Sequence, residues 1–423
     1  MTSAAALEPV GVCTVELTGA DADRAGHLFD ILPNRAPLAW VRDGEGMVAW
    51  GEAARFVVSG RDRFARAVRW WESLVANAAV LDDLRLPGTG PVLFGSFAFA
   101  DGPTPSVLVL PRTLVGRRDG RTWVTAVGLP DGDLKPSELA PVPAAPARVR
   151  YADGALSSAG WRDAVAEAVG RIRAGELSKV VLARDLIAFA SDPIDQRHLL
   201  AGLAARYPSC FTFAVHGLVG ATPELLVRRL GAAVESRVLA GTAWRRAGGP
   251  DAGPDETDAG LAARLTASAK DREEHSYAVT SAADALRAYC TELRVPATPD
   301  VLALANVAHL ATELTGTLAD DTCALALAGA LHPTAAVCGW PRAAAAELIS
   351  ALEHMDRGRY AGPVGWMDGT GDGEWGLALR CGEVDGSRLR LFAGCGIVAG
   401  SDPDTEVAEA QAKFVAVRDA LEA

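Results

Sequence analysis

The sequence has 423 residues, enough for two to three average domains or one large α/β unit, so a small disulfide scaffold is excluded. With 49% hydrophobic and 22% charged residues the chain can bury a large core, which excludes a mainly disordered protein. The formal net charge of -12 has the wrong sign for coating nucleic acid or an anionic membrane, so an anionic ligand must be met by local cations or a metal.

Taken in chain order, residues 1–128 carry short apolar runs such as PVLFGSFAF at 91–99, broken by Gly and Pro, with one helical stretch at 64–81. They read as the N-terminal, β-rich half of a scaffold. The segment 129–150 contains five prolines, which fit neither a sheet interior nor a helix core, and reads as an exposed linker or loop. In the remaining region, 151–423, Trp161, Val165, Val169 and Ile172 line one face of a helix over 158–174, with Gly175 at its end. KVVLARDLIAF at 179–189 is short and β-branched, as a buried strand requires, and strand-like runs follow at 211–219 and 223–230. A polar, Gly/Pro-rich stretch at 245–258 precedes a helical region over 262–289. Strands return over 362–397, with turns at GTGDGEW and VDGSR, and a terminal helix spans 404–421. Strands and helices mix without a regular βαβ period, so the expected class is α+β, and no repeat of solenoid length is present.

The seven cysteines are scattered without a CxxC pair and read as reduced core residues. The start lacks a basic segment followed by an apolar stretch, and no apolar run approaches the ~20 residues of a membrane span, so a soluble, cytoplasmic protein is expected. A phosphate-binding GxxxxGK[ST], a zinc-binding HExxH and a GxSxG elbow are all missing. GTGDG at 369–373 reads as a hairpin turn.

Two acidic helices remain. Lys270 and Glu274 stand at i,i+4 with Asp271 adjoining, and Glu406, Glu409 and Lys413 form a stripe beside the apolar face of the terminal helix. Carboxylates bordering a buried face need a countercharge, which Mg²⁺ would supply, although ordinary surface salt bridging accounts for the same spacing. Lys179 opens an apolar strand and Glu224 follows a Thr-Pro pair at the start of another. Such settings disfavour the charged forms, making the lysine a base and the carboxyl an acid; equally, both are what a protected strand edge would carry.

Nine segments occur together in an order that resembles the chorismate-utilising enzymes. They are SKVVLAR (178–184), GATPELLVRR (220–229), LAGTAWRR (239–246), KDREEH (270–275), VAHLATELTGTL (307–318), LHPTAAVCGWP (331–341), YAGPVGWMD (360–368), GDGEWGLALR (371–380) and AGCGIVAGSDPDTEVAEAQAK (393–413). The resemblance spans about three fifths of the chain and is strongest to the isochorismate synthases. It implies one large α+β unit, two packed and mostly antiparallel sheets flanked by helices, with the site in the cleft between them.

Carried over position by position, the resemblance implies that Glu274 and Glu409 hold Mg²⁺, supported by Asp271 and Glu406. Arg380 and Tyr360 match residues that hold the enolpyruvyl carboxylate of chorismate, helped by the backbone around Gly394 and Gly396. His309 matches a histidine near the ring carboxylate, and Gly241, Thr242, Ala336 and Lys413 are expected in the substrate site. Lys179 matches the base that activates water and Glu224 the acid that protonates the departing C4 hydroxyl. A lysine at position 179, where ammonia-using relatives carry glutamine, implies water as the nucleophile. Ala336 stands where salicylate synthases commonly have threonine, which implies release of isochorismate. Cys395 replaces a usual alanine. A salicylate synthase and a catalytically silent chorismate-binding subunit are the other readings. The product would feed siderophore, menaquinone or antibiotic synthesis, with an isochorismatase or other downstream enzyme as a partner.

Overall fold

A computed structural model describes residues 10–34, 36–128, 141, 143–244, 257–303 and 307–423. Most of the expected linker (129–140 and 142) and of the polar stretch (245–256) lies outside the described residues.

The architecture is α+β: two large sheets, of 13 and 10 strands, with nine α-helices among the described residues. The larger sheet runs Arg150–Asp153, Lys179–Phe189, Arg388–Ile397, Cys381–Asp385, Leu218–Thr222, Phe211–Val215 and then Leu38–Arg42, before continuing through strands from the first 128 residues. The smaller sheet likewise joins Pro363–Asp368 to Val92–Ser96. Both sheets are therefore assembled by pairings between early and late parts of the chain, such as Phe213 opposite Trp40. The pairings are antiparallel except that Val10–Leu17 runs parallel to Ala78–Asp82 at one edge.

Lys179–Phe189 occupies the residues expected of it, and all but its last residue are buried. A largely apolar run suits a strand covered on both faces, and its two central charges, Arg184 and Asp185, are paired with Asp153 and Arg390. Helices Ser158–Arg173 and Arg342–Leu352 pack on it, and the Trp161 indole donates to Ala183 O at 3.1 Å. The terminal helix Pro403–Glu422 starts at Asp402, whose carboxylate accepts from Thr405 N at 2.9 Å. It buries Phe414, Val417 and Leu421 and packs on Arg388–Ile397.

The structure revises three element boundaries. The run 211–219 is a hairpin, Phe211–Val215 and Leu218–Thr222, turned by His216 at φ 49° and Gly217 at φ 85°. Two residues with positive φ match the twist of the flanking strands. The helix expected over 64–81 is Arg63–Ala76, and its last residues instead form the edge strand Ala78–Asp82. Pairing with Val10–Leu17 decides an apolar stretch that periodicity leaves open. The helical region near 262–289 is two helices, Asp258–Ala267 and Ala269–Arg287. Ser268 ends the first and caps the second, its hydroxyl accepting from Asp271 N at 3.3 Å. GTGDG does form a hairpin turn, held by Asp368, whose carboxylate accepts from Thr370 N at 2.9 Å and Asp372 N at 3.2 Å. All seven cysteines are unpaired, and no helix among the described residues is long and apolar enough to cross a membrane.

Candidate active site

A cavity opens between the sheets, lined by residues of both. Its wall brings together Glu224, Gly241, Thr242, Glu274, His309, Ala336, Tyr360, Arg380, Gly394, Gly396 and Lys413, residues spread over nearly 200 positions of sequence. Lys179, Asp271, Glu406 and Glu409 stand just behind that wall.

Glu224 precedes the strand Leu225–Leu230 and is buried. Burial pushes its carboxyl up to about 8, against the pull of the nearby Lys179 and Lys413 cations. It is thus a protonated acid at neutral pH, aimed into the cavity. Lys179 begins its strand with a side chain that is 0% exposed, and its Nζ lies 3.3 Å from Glu274 Oε1. The apolar walls read from sequence are present, but the amine also has a carboxylate partner, contributed by a helix some 95 residues further on. Gly396 makes room for this carboxylate: a Cβ there would fall 1.9 Å from Glu274 Oε1.

A chain of hydrogen bonds holds the Arg380 cation of the same cavity. Arg380 Nη2 lies 2.8 Å from His309 Nε2, and since arginine only donates, Nε2 accepts. His309 Nδ1 therefore carries the hydrogen and donates to Thr242 Oγ1 at 3.1 Å. Burial, reinforced by Arg380, holds the His309 pKa well below its ordinary value, which keeps the ring in this neutral form. Thr242 is anchored in turn by its backbone N–H, which donates to Asp271 Oδ1 at 3.2 Å. Gly241, at φ 76°, lets the strand approach Asp271, whose Cβ would lie 2.9 Å from a Cβ at that position. Asp271 thus braces the His309 and Arg380 wall. Burial lowers the Arg380 pKa, leaving a guanidinium with little solvent and much to gain from an anion. Tyr360 stacks on Phe392 at 5.0 Å between ring centroids.

Behind Gly394 and Gly396 lies an acidic cluster. Carboxylate oxygens of Glu406 and Glu409 lie within 4.8 Å of each other and of Cys395 Sγ. Glu406 is 1% exposed and one of its oxygens, Oε2, has no hydrogen-bond partner. Burial and the neighbouring Glu409 raise its carboxyl to about 7, with Lys270 opposing. Lys413 bonds Glu409 Oε1 at 2.7 Å and Gly394 O at 2.8 Å. Burial works against its charge, but Glu409 prevails and lifts its pKa. Hard carboxylate oxygens with an unsatisfied buried lone pair suit a divalent cation such as Mg²⁺. Burial keeps the Cys395 thiol protonated, and it donates to Glu406 O at 3.5 Å.

Sequence reasoning overlooked Arg357 and Glu353. Arg357 lines the cavity and donates to Val337 O at 2.8 Å and Val181 O at 2.7 Å, while its Nε bonds Glu353 Oε2 at 2.9 Å. Glu353 also accepts from Ala183 N at 2.7 Å. The pair fixes the strand below the cavity to the loop above it. Its only trace in the sequence is an i,i+4 spacing, which elsewhere marks a surface pair.

The chain is 41% identical over 266 residues to the isochorismate synthase DhbC of Bacillus subtilis, covering 60% of this chain and 65% of that protein. It is 33% identical over 394 residues to the vibriobactin-specific isochorismate synthase of Vibrio cholerae, covering 92% of each. The structure of MenF, the menaquinone-specific isochorismate synthase of Escherichia coli, superimposes with a TM-score of 0.77 at 25% identity, covering 98% of this chain and 95% of that one. The family described as chorismate binding enzyme matches residues 38–422, nearly the whole length over which these walls are built, and the chain belongs to it.

Proposed function

We propose that the protein is an isochorismate synthase, converting chorismate to isochorismate by adding water at C2 with loss of the C4 hydroxyl. The observation that carries this reading is Glu224, a buried carboxyl on the wall of a cavity also lined by Arg380 and Lys413, which burial pushes up to about 8. Hydroxide leaves poorly without a proton donor, and water attacks poorly without a base, so the reaction needs both at once.

In this reading Lys179, once it has given up to solvent the proton it carries beside Glu274, takes a proton from the attacking water as the new C2–O bond forms. The two ring double bonds shift, the C4–O bond breaks, and Glu224 delivers its proton to the departing oxygen, so water is both consumed and released. At rest the Lys179 amine is paired with Glu274, so turnover requires that carboxylate to turn to another partner. Arg380, held by His309, takes the enolpyruvyl carboxylate, and Tyr360 closes the same wall. Glu274 and Glu409 would hold Mg²⁺, with Glu406 in support; Asp271, also expected in support, accepts from the Thr242 backbone N–H. When bound, the ion supplies positive charge and a fixed orientation for the ring carboxylate.

The test is chromatographic identification of the product made by purified protein from chorismate and Mg²⁺. Isochorismate is expected, with no salicylate fluorescence; salicylate as the main product would overturn the significance given to Ala336. Lys179→Ala is expected to lower turnover by about 10²–10⁴-fold while chorismate still binds, measured by calorimetry beside the rate assay. An unchanged rate would remove Lys179 from the mechanism.

A further inference from the structure

The chain contains four lysines against 37 arginines. Three of the four stand at this one site, each paired with a different carboxylate: Lys179 with Glu274, Lys270 with Glu406, and Lys413 with Glu409. Structural ion pairs elsewhere, such as Arg390 with Asp185 and Arg197 with Asp195, use arginine. The difference matters because a guanidinium grips a carboxylate with a rigid fork, whereas an ammonium is a compact, strongly hydrated charge that exchanges one partner for another with little rearrangement.

Of the three, Lys270 is the one free to leave. Its side chain is 30% exposed, against 0% for Lys179, and Lys413 has a second tether at Gly394 O, 2.8 Å away. Among the described residues the Lys270 ammonium has one acceptor, Glu406, and the charges of Glu274 and Glu409 act on it as well. Its charge therefore already offsets the carboxylates assigned to the metal.

We propose that Lys270 is the resident counter-ion of the acidic cluster and that a divalent cation enters by displacing it, so that metal loading is an exchange of cations. The proposal rests on the reading of Glu274 and Glu409 as the metal's carboxylates. The divalent ion wins because it answers two carboxylates at once, while the departing ammonium regains its hydration at the surface. Apparent metal affinity is then the intrinsic affinity reduced by the fraction of molecules in which Lys270 is off the cluster.

The experiment is calorimetric titration of the full chain with MgCl₂ at pH 8.5, comparing wild type with Lys270→Met, Lys270→Arg and Glu409→Ala. The Met variant is expected to bind about tenfold more tightly and the Arg variant more weakly than wild type. Damage to the fold weakens binding, so a gain is not a structural side effect. With so few lysines, acetylation of the wild type followed by mass spectrometry gives a second readout: labelling of Lys270 is expected to rise several-fold on adding Mg²⁺. This readout decides the matter if the Met variant does not fold. Should Glu409→Ala bind Mg²⁺ as wild type does, the metal reading falls and the exchange with it. Loss of binding in Glu409→Ala, with no gain in Lys270→Met and no change in labelling, sinks the exchange alone.

Discussion

At the scale of single residues, Glu224 makes the sharpest prediction. A general acid must be protonated, so kcat/KM is expected to fall as pH rises through about 8, the value to which burial lifts this carboxyl. Glu224→Gln is expected to lose about 10²–10⁴-fold in turnover. A wild-type profile that stays flat through that alkaline range removes Glu224 from the acid's role. Gly396 tests the space around Glu274. A Cβ at 1.9 Å from its carboxylate forces Glu274 to move, so Gly396→Ala is expected to lower kcat/KM by about 10²-fold with little change in melting temperature. That Glu224, Glu274 and Gly396 line one cavity was legible through motif order, yet the charge partners were not. Lys179 finds Glu274 across 95 positions and Lys270 finds Glu406 across 136, and only the tertiary fold selects such pairs.

At the scale of elements, the buried pair Glu353 and Arg357 clamps Lys179–Phe189 to the segment that follows Arg342–Leu352. Removing one partner strands the other charge in the interior, so Glu353→Ala is expected to cost roughly 3–5 kcal/mol, read from denaturant unfolding. The strand Lys179–Phe189 was readable from sequence because it is short and rich in β-branched and apolar residues. The hairpin at 211–222 was not, since Ala-Val-His-Gly-Leu-Val gives the turn only two residues and the apolar pattern continues across it. The edge strand Ala78–Asp82 was absorbed into the preceding helix for a similar reason. Its conformation is fixed by a neighbour more than 60 residues away rather than by its own composition.

At the scale of the whole molecule, composition and the irregular order of strands and helices sufficed for the α+β class, whereas the interleaving of the two sheets was hidden. Nothing local tells Leu38–Arg42 that its partner is Phe211–Val215. Because each sheet has such a seam, a fragment of residues 151–423 is expected to lack cooperative unfolding when expressed alone; a sharp melting transition from it would show the region to be self-sufficient. The same seam bears on synthesis. Val41 leaves the ribosome some 170 residues before Thr212, which pairs with it. At about 5–20 residues per second, the early strand waits on the order of 10–30 s with its apolar edge uncovered. The nascent chain thus spends that interval as a natural client for a holding chaperone, and its yield in a cell should depend on how well that exposed half is sheltered during translation.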